Sequence, residues 1–262
     1  MLKFQHASRA SQGARPYQED ASAVWPGLET AVPSDATALP FGTALVAVLA
    51  DGMGGHAGGA LASSTICTTF VDHFTSREGD GHARLKSSLV AANEAIGDKV
   101  DANPQLAGMG ATLVGVAIGD AGLSWVSVGD SPMYLYRAGE LVQLNEDHSL
   151  APVIDRLVEQ GRMTPEEARS DPRRHYLRSA VTGEELELVD APERPLALAP
   201  GDIVVIASDG LHTLAHDQIR SVIESYAANG ADTVAEALIR SVAEADEPHQ
   251  DNTTVVVVMV GE

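Results

Sequence analysis

Four times in this chain an apolar, strand-like run stops or starts on an aspartate, and no other feature restricts the possible folds as much. "TALVAVLAD" ends on Asp51 and continues into the glycine-rich "GMGGHAGG"; "WVSVGD" ends on Asp130, "DIVVIASD" ends on Asp209, and Asp251 stands just ahead of "NTTVVVVMV". An acid at the end of a buried strand sits at the edge of a core, where several strand ends can converge. Two such charges about 4 Å apart, at an effective dielectric near 20, repel by about 4 kcal/mol, a large share of a domain's stability. Something positive should neutralise them, and no Lys or Arg accompanies Asp51, Asp209 or Asp251 within its own motif. A divalent cation would serve. Oxygen-only donors favour Mg²⁺ or Mn²⁺ over zinc, and the glycines after Asp51 let the backbone come close enough for the Gly52 carbonyl to join the ligands.

The order of elements bears on the fold class. Strands are expected at "KFQHASRAS", "EDASAVW" and "TALVAVLA", with a polar, proline-containing stretch from Pro26 to Pro40 before the third. Apolar residues at helical spacing, such as Leu85, Leu89, Ala92 and Ile96, predict helices over roughly 59–74 and 84–100. "ATLVGVAI", "LSWVSVG", "PMYLYR" and "ELVQLN" read as short strands joined by tight turns. Residues 146–180 are polar and helical, with a helix start at "TPEE": Thr164 caps, Pro165 takes the first helical position and Glu167 reaches back. Strands "ELELVD" and "DIVVIASD", two helices over about 217–228 and 232–245, and a last strand "TTVVVVMV" complete the chain. Blocks of strands alternating with pairs of helices predict an α+β fold built on antiparallel sheet, in one domain spanning 1–262, rather than a doubly wound parallel fold.

Composition narrows the function. Lys and Arg number 17 against 37 Asp and Glu, a net charge of −20, and that field repels nucleic acid where no basic patch overrides it. The chain lacks an apolar leader and any run of about 20 apolar residues, so a cytoplasmic protein without membrane insertion is expected. One cysteine, Cys67, cannot form a disulfide framework and reads as a buried packing residue. "HTLAH" sets His212 and His216 one helical turn apart, without the Glu and third ligand of a zinc hydrolase. "DGMGGHAGG" lacks both the Walker ending and the spacing of a dinucleotide fingerprint.

With those alternatives set aside, nine segments in register resemble the protein phosphatase 2C family, the metal-dependent Ser/Thr phosphatases, in its bacterial form: "RPYQED", "ADGMGGHAGG", "GMGATLVGV", "VGDSPMYLYR", "EDHSL", "LVEQGRMTPEEA", "RSAVTG", "LAPGDIVVIASDGL" and "QDNTTVVVV". The resemblance implies a central antiparallel β-sandwich flanked by pairs of α-helices on both faces. It also implies two Mn²⁺ or Mg²⁺ ions, with Asp51 bridging them, Asp209 and Asp251 on the first, and the Gly52 carbonyl with Glu19 and Asp20 on the second. Asp130, with Asp209, matches the site of a third and weaker ion. Arg15 stands where the family binds phosphate, and a water bridging the two ions attacks phosphorus without a covalent intermediate. A phosphorylated protein substrate, a cognate Ser/Thr kinase and a monomeric state belong to the same expectation. A metal- or phosphoprotein-binding regulatory module, and a hydrolase of another phosphate monoester, are the alternative readings.

Three positions depart from the family pattern. Gln18 replaces a common Asn, Pro132 replaces an Arg, and Met53 follows "DG" where some members carry a His proposed as general acid. Leaving-group protonation is therefore unassigned, and His56 is read as a structural neighbour. Residues 146–180 resemble the family's flap, whose arginines Arg173, Arg174 and Arg178 form either a solvated face or a greeting surface for an acidic or phosphorylated segment.

Overall fold

Strand-forming runs of Val, Ile, Leu and Ala alternate with two pairs of helices, and each run finds its partners across the chain rather than beside it. The structure is a computed structural model that describes residues 2–26, 43–54, 57–119 and 121–261; His56 and most of the Pro26–Pro40 stretch lie outside them. In chain order the strands are β1 (Lys3–Ser11), β2 (Ala21–Trp25), β3 (Thr43–Ala50), β4 (Gly52–Met53), β5 (Gly110–Ala111), β6 (Leu113–Gly119), β7 (Gly122–Val128), β8 (Met133–Arg137), β9 (Glu140–Gln143), β10 (Ile203–Ala207) and β11 (Thr253–Gly261). The helices are α1 (Ala57–Ser76), α2 (Gly81–Ala102), α3 (Ala151–Glu159), α4 (Pro165–Ser170), α5 (His216–Tyr226) and α6 (Ala231–Glu244).

One sheet runs β1-β11-β10-β8-β9 and the other β2-β3-β6-β7, with the short pair β4-β5 beside them. Every pairing between these strands is antiparallel. Strand side chains alternate between two faces, so each sheet buries both. Leu45, Leu49, Val114 and Val116 meet Met133, Val204, Ile206 and Val256 between the sheets. On the outer face of the second sheet, Val46, Val48 and Val126 pack against Ile66, Phe70, Leu85 and Ile96 of α1 and α2. The first sheet presents Val205, Val255 and Val257 to Ile219, Ile223, Val234 and Leu238 of α5 and α6. The result is the expected α-β-β-α sandwich.

Three local expectations are corrected. "ELELVD" forms no strand; it is held by a bridge between Asp190 and Ser127 and by the Asp190 carboxylate, which accepts from Trp125 Nε1 at 3.0 Å and from the Glu146 backbone at 3.0 Å. Its alternation reflects those anchor points and not a ladder. The run "ATLVGVAI" is broken at Thr112 into β5 and β6, because the Thr112 hydroxyl and N–H turn to Asp51. His212 and His216 share no helical turn: the first lies in a 3₁₀ turn, Asp209–Thr213, and the second opens α5. Between β9 and β10, α3, α4 and a 3₁₀ turn (Pro172–His175) make up most of the polar insertion, and Thr164 and Glu167 form the predicted capping box. No helix among the described residues is long and apolar enough to cross a membrane.

Candidate active site

Strand register brings the acids to one end of the sandwich. Ala21 pairs with Ala50, so Asp20 and Asp51 flank the last rung of the β2–β3 ladder. Leu49 pairs with Val114 and Leu113 with Val128, which sets Thr112 beside both Asp51 and the turn carrying Asp130. In the facing sheet Ala207 pairs with Val255, and Asp209 and Asp251 lie just beyond β10 and β11. The residues meet around a cavity of about 780 Å³ whose wall includes Arg15, Glu19, Asp51, Gly52, Asp130, Asp209 and Asp251. The insertion between β9 and β10 adds His175, Tyr176, Leu177 and Arg178 to that wall, and the segment after it adds Glu184, Glu185 and Glu187.

Hydrogen bonds hold the floor of the cavity rigid. Thr112 N–H donates to the Asp51 carbonyl at 2.9 Å, and the Asp51 N–H donates to Thr112 Oγ1 at 3.0 Å. Ser208 Oγ, from the end of β10, donates to Asp20 Oδ2 at 2.7 Å and so ties the two sheets together. Asn252 was not singled out by sequence reasoning, although it sits in the "QDNTT" motif. Its Oδ1 accepts from the Glu19 N–H at 2.8 Å, and its Nδ2 donates to the Gln12 and Tyr17 carbonyls at 2.8 and 2.9 Å, clipping the loop that carries Arg15 and Glu19 onto β11. Gln18 does part of the same work: its Oε1 accepts from the Asp20 N–H at 3.1 Å. Pro132 is buried, and its carbonyl accepts from the Ala207 N–H at 3.0 Å, where an Arg side chain is absent.

The electrostatics follow from burial and crowding. Burial pushes the Asp51 carboxyl well above the ordinary range, and the charges of Asp209, Asp20, Asp130 and Asp251 push the same way. Asp20 rises to about 6, chiefly by burial and further by the charge of Asp209. Asp130 rises to about 7 through burial, Asp209 and Asp147; Asp147, in the "EDHSL" segment, is a neighbour that strand-end reasoning missed. Asp209 is raised by burial and then by Asp251. Asp20 Oδ1 and Glu19 Oε1 are buried and have no hydrogen-bond partner. One cation does reach the acids: Arg15 Nη2 bonds Asp251 Oδ2 at 2.5 Å, a pairing across the chain that no local motif revealed. Among the described residues no three His, Cys, Asp or Glu groups close into a ready-made cage; Glu19, Asp51, Asp130, Asp209 and Asp251 share the cavity wall, Asp20 is not part of it, and Asp20 and Asp51 feel the neighbouring charges.

This chemistry has one consistent use. An all-oxygen donor set with two orphaned buried carboxylate oxygens fits hard divalent cations, and an arginine at the rim fits a phosphate. Cys67 is excluded as a nucleophile, since burial holds its thiol up at about 12. Of the three flap arginines, Arg173 pairs with Asp171 and Arg174 with Asp155, while Arg178 faces the cavity.

Comparison with known proteins points the same way. A profile of the family "Protein phosphatase 2C" matches residues 34–243. The serine/threonine protein phosphatase PstP of Mycobacterium tuberculosis is 36% identical over 219 residues, covering 83% of this chain; the chain spans 40% of the length of PstP. Protein phosphatase PhpP of Streptococcus pneumoniae is 31% identical over 183 residues, 68% of this chain and 72% of PhpP. Among solved structures, the catalytic domain of PstP in complex with two manganese ions superposes with a TM-score of 0.77 at 32% identity over 100% of both chains. The phosphatase MsPP of Mycobacterium smegmatis in complex with cacodylate does so with a TM-score of 0.74 at 28% identity, covering 98% of each.

Proposed function

Since this chain belongs to the protein phosphatase 2C family, we propose that it is a metal-dependent phosphatase that hydrolyses phosphoserine and phosphothreonine in proteins by direct attack of water. The observation that carries this reading is the convergence of strand-end acids from both sheets on Asp51, whose carboxyl responds to four other aspartates at once.

The ligand assignment is ours. Asp51, Asp209 and Asp251 would hold one Mn²⁺ or Mg²⁺ ion, and Asp51 with Glu19, Asp20 and the Gly52 carbonyl would hold a second. Asp130, with Asp209, would hold a weaker third. Supporting this are the partnerless oxygens Glu19 Oε1 and Asp20 Oδ1. When bound, the ions supply an activated water and offset the negative charge of the phosphate. The protein's own part is to hold and orient. Asp251 engages one edge of the Arg15 guanidinium, and the remaining N–H donors of that planar fork are left for phosphate oxygens. Ser208, Thr112 and Asn252 keep the acids in place so that little reorganisation accompanies the reaction.

The insertion over 146–180 acts as a flap on a single domain spanning 1–262, supported by its contribution of His175 to Ala180 to the cavity wall. A phosphoprotein substrate, a cognate Ser/Thr kinase, a monomeric state and a cytoplasmic location complete the proposal. The test is hydrolysis of p-nitrophenyl phosphate with Mn²⁺, with chelator, and by Asp209→Asn. Turnover should vanish with chelator and fall at least about 100-fold in the variant, the scale of losing one electrostatic stabiliser. Metal-independent turnover overturns the mechanism. Phosphoprotein binding without turnover identifies a regulatory module instead.

A further inference from the structure

A seryl or threonyl oxygen leaves phosphorus as an alkoxide unless a proton reaches it, so a phosphatase for these esters gains from a positioned acid. The described residues around Asp51 do not provide one. The Met53 thioether carries no proton to give, the guanidinium groups of Arg15 and Arg178 do not release theirs, and Glu19 and the aspartates of the site are assigned to the ions. Imidazole is the side chain suited to donating near neutral pH.

Among the described residues, one imidazole lines the cavity. His175 closes the 3₁₀ turn Pro172–His175, and its exposed ring shares the cavity wall with Arg15, Asp209 and Asp251. The backbone beneath it is fixed on both sides. Arg174 is tied to Asp155 at 2.6 Å, Tyr176 N–H donates to the Arg173 carbonyl at 2.9 Å, and Leu150 N–H donates to the Tyr176 carbonyl at 2.9 Å. Leu177 then bridges to Ser149. The charge of the His175 ring is felt at Asp209 and at His212, so it stands within electrostatic range of the end of β10. The other charged or titratable groups of the wall it shares are Arg15, Glu19, Asp51, Asp130, Arg178, Glu184, Glu185, Glu187, Asp209 and Asp251, and Asp171, Arg173 and Arg174 stand on or beside its own turn. His212 is a different case: burial lowers its pKa and favours the neutral ring, and it is not part of the cavity wall.

We propose that His175 is the general acid of this site, protonating the seryl or threonyl oxygen as it leaves phosphorus. The proposal rests on the phosphatase reading above. As the water oxygen forms its bond to phosphorus, the bond from phosphorus to the substrate oxygen breaks. Its electron pair passes to that oxygen, which takes the proton from the imidazolium. The attacking water loses a proton to solvent, the exposed ring is reprotonated from solvent, and the products are the alcohol and inorganic phosphate.

Leaving-group dependence tests it, because a nitrophenolate departs without protonation and an alkoxide does not. With Mn²⁺ at neutral pH, His175→Gln and His175→Ala should lower kcat on a phosphothreonine peptide by about 100-fold, while p-nitrophenyl phosphate loses less than about 3-fold and KM for the peptide is unchanged. The fall in wild-type peptide turnover with rising pH should disappear in both variants. In the Mg²⁺-loaded protein, the imidazole C2–H resonance lost in His175→Gln should move when inorganic phosphate is added. Equal losses on both substrates, no loss on either, or a resonance unmoved by saturating phosphate overturns the assignment and leaves the phosphatase reading intact. A wild-type protein that turns over neither substrate with Mn²⁺ overturns both.

Discussion

At Gly52 the chain leaves no room for a side chain: a Cβ there would fall 2.4 Å from both the Glu19 and the Gly59 carbonyl oxygens. Both contacts are with backbone, so neither can swing away. Gly52→Ala is therefore expected to cost about 1–3 kcal/mol, as overpacking does, measured by urea denaturation with chelator present. The acids around it make a second prediction, with a definite sign. Asp20 and Asp130 titrate at about 6 and about 7 in the folded protein, above the value near 3.9 of an unfolded aspartate. A raised carboxyl favours folding fully below the unfolded value, and that contribution is lost as pH rises through the folded one. The chelated protein should thus lose thermal stability between about pH 4 and 7, and Mn²⁺ should raise Tm more at pH 8 than at pH 5. A Tm that climbs across that window without metal would show that the carboxylates are not crowded. Asp202 has the opposite sign: buried with Arg137 on it at 2.6 Å and the Ala199 N–H at 2.7 Å, it is held below the ordinary range against the pull of burial. Its contribution is present above about pH 4 and lost as pH falls through the folded value.

The helices show how much of an element is written locally. The 3.6-residue spacing of Leu85, Leu89, Ala92 and Ile96 predicts α2, and all four are buried against the second sheet. Asp80 caps that helix by accepting from the Ala83 N–H at 2.9 Å. The α4 start was legible for the same reason, since a capping box is satisfied within four residues. Thr164→Ala removes it at a cost of about 1 kcal/mol. Because α4 is short and largely exposed, the loss should appear as faster amide exchange over 165–170 with Tm almost unmoved; a large fall in Tm would contradict this local accounting. "ELELVD" misled because it meets the β7 edge at a single isolated bridge, Asp190 to Ser127, and alternation without successive rungs makes no strand. Beside it, Asn93 holds the loop instead, accepting from the Gly183 N–H at 2.9 Å and donating to the Glu184 carbonyl at 2.7 Å.

Over the whole molecule, a charge of −20 opposes compaction, and counter-ions relieve it. Raising NaCl from about 10 to 200 mM shortens the Debye length from about 30 Å to under 10 Å, so Tm of the metal-loaded protein should rise with salt. A fall would mean that attractive pairs such as Arg9–Asp232 and Arg174–Asp155 outweigh the repulsion. The acidic excess also fits the cavity, whose wall carries Glu184, Glu185 and Glu187 beside the aspartates. In such a field, Arg15 and Arg178 are the arginines on the cavity wall among the described residues.

The amino-acid sequence by itself determined the antiparallel α+β order of strands and helix pairs, because burial periodicity and caps are set by neighbours along the chain; the sandwich was implied by the family resemblance. It also marked Asp51, Asp130, Asp209 and Asp251, since a carboxylate ending a buried strand is costly wherever the strand lies, though not Asp147. Only the tertiary structure decided that Arg15 pairs with Asp251, that Ser208 reaches Asp20 between the sheets, and that His175 shares a wall with Asp209. Each of those joins segments far apart in sequence, and the register of the antiparallel ladders, not any local pattern, fixes which of them meet.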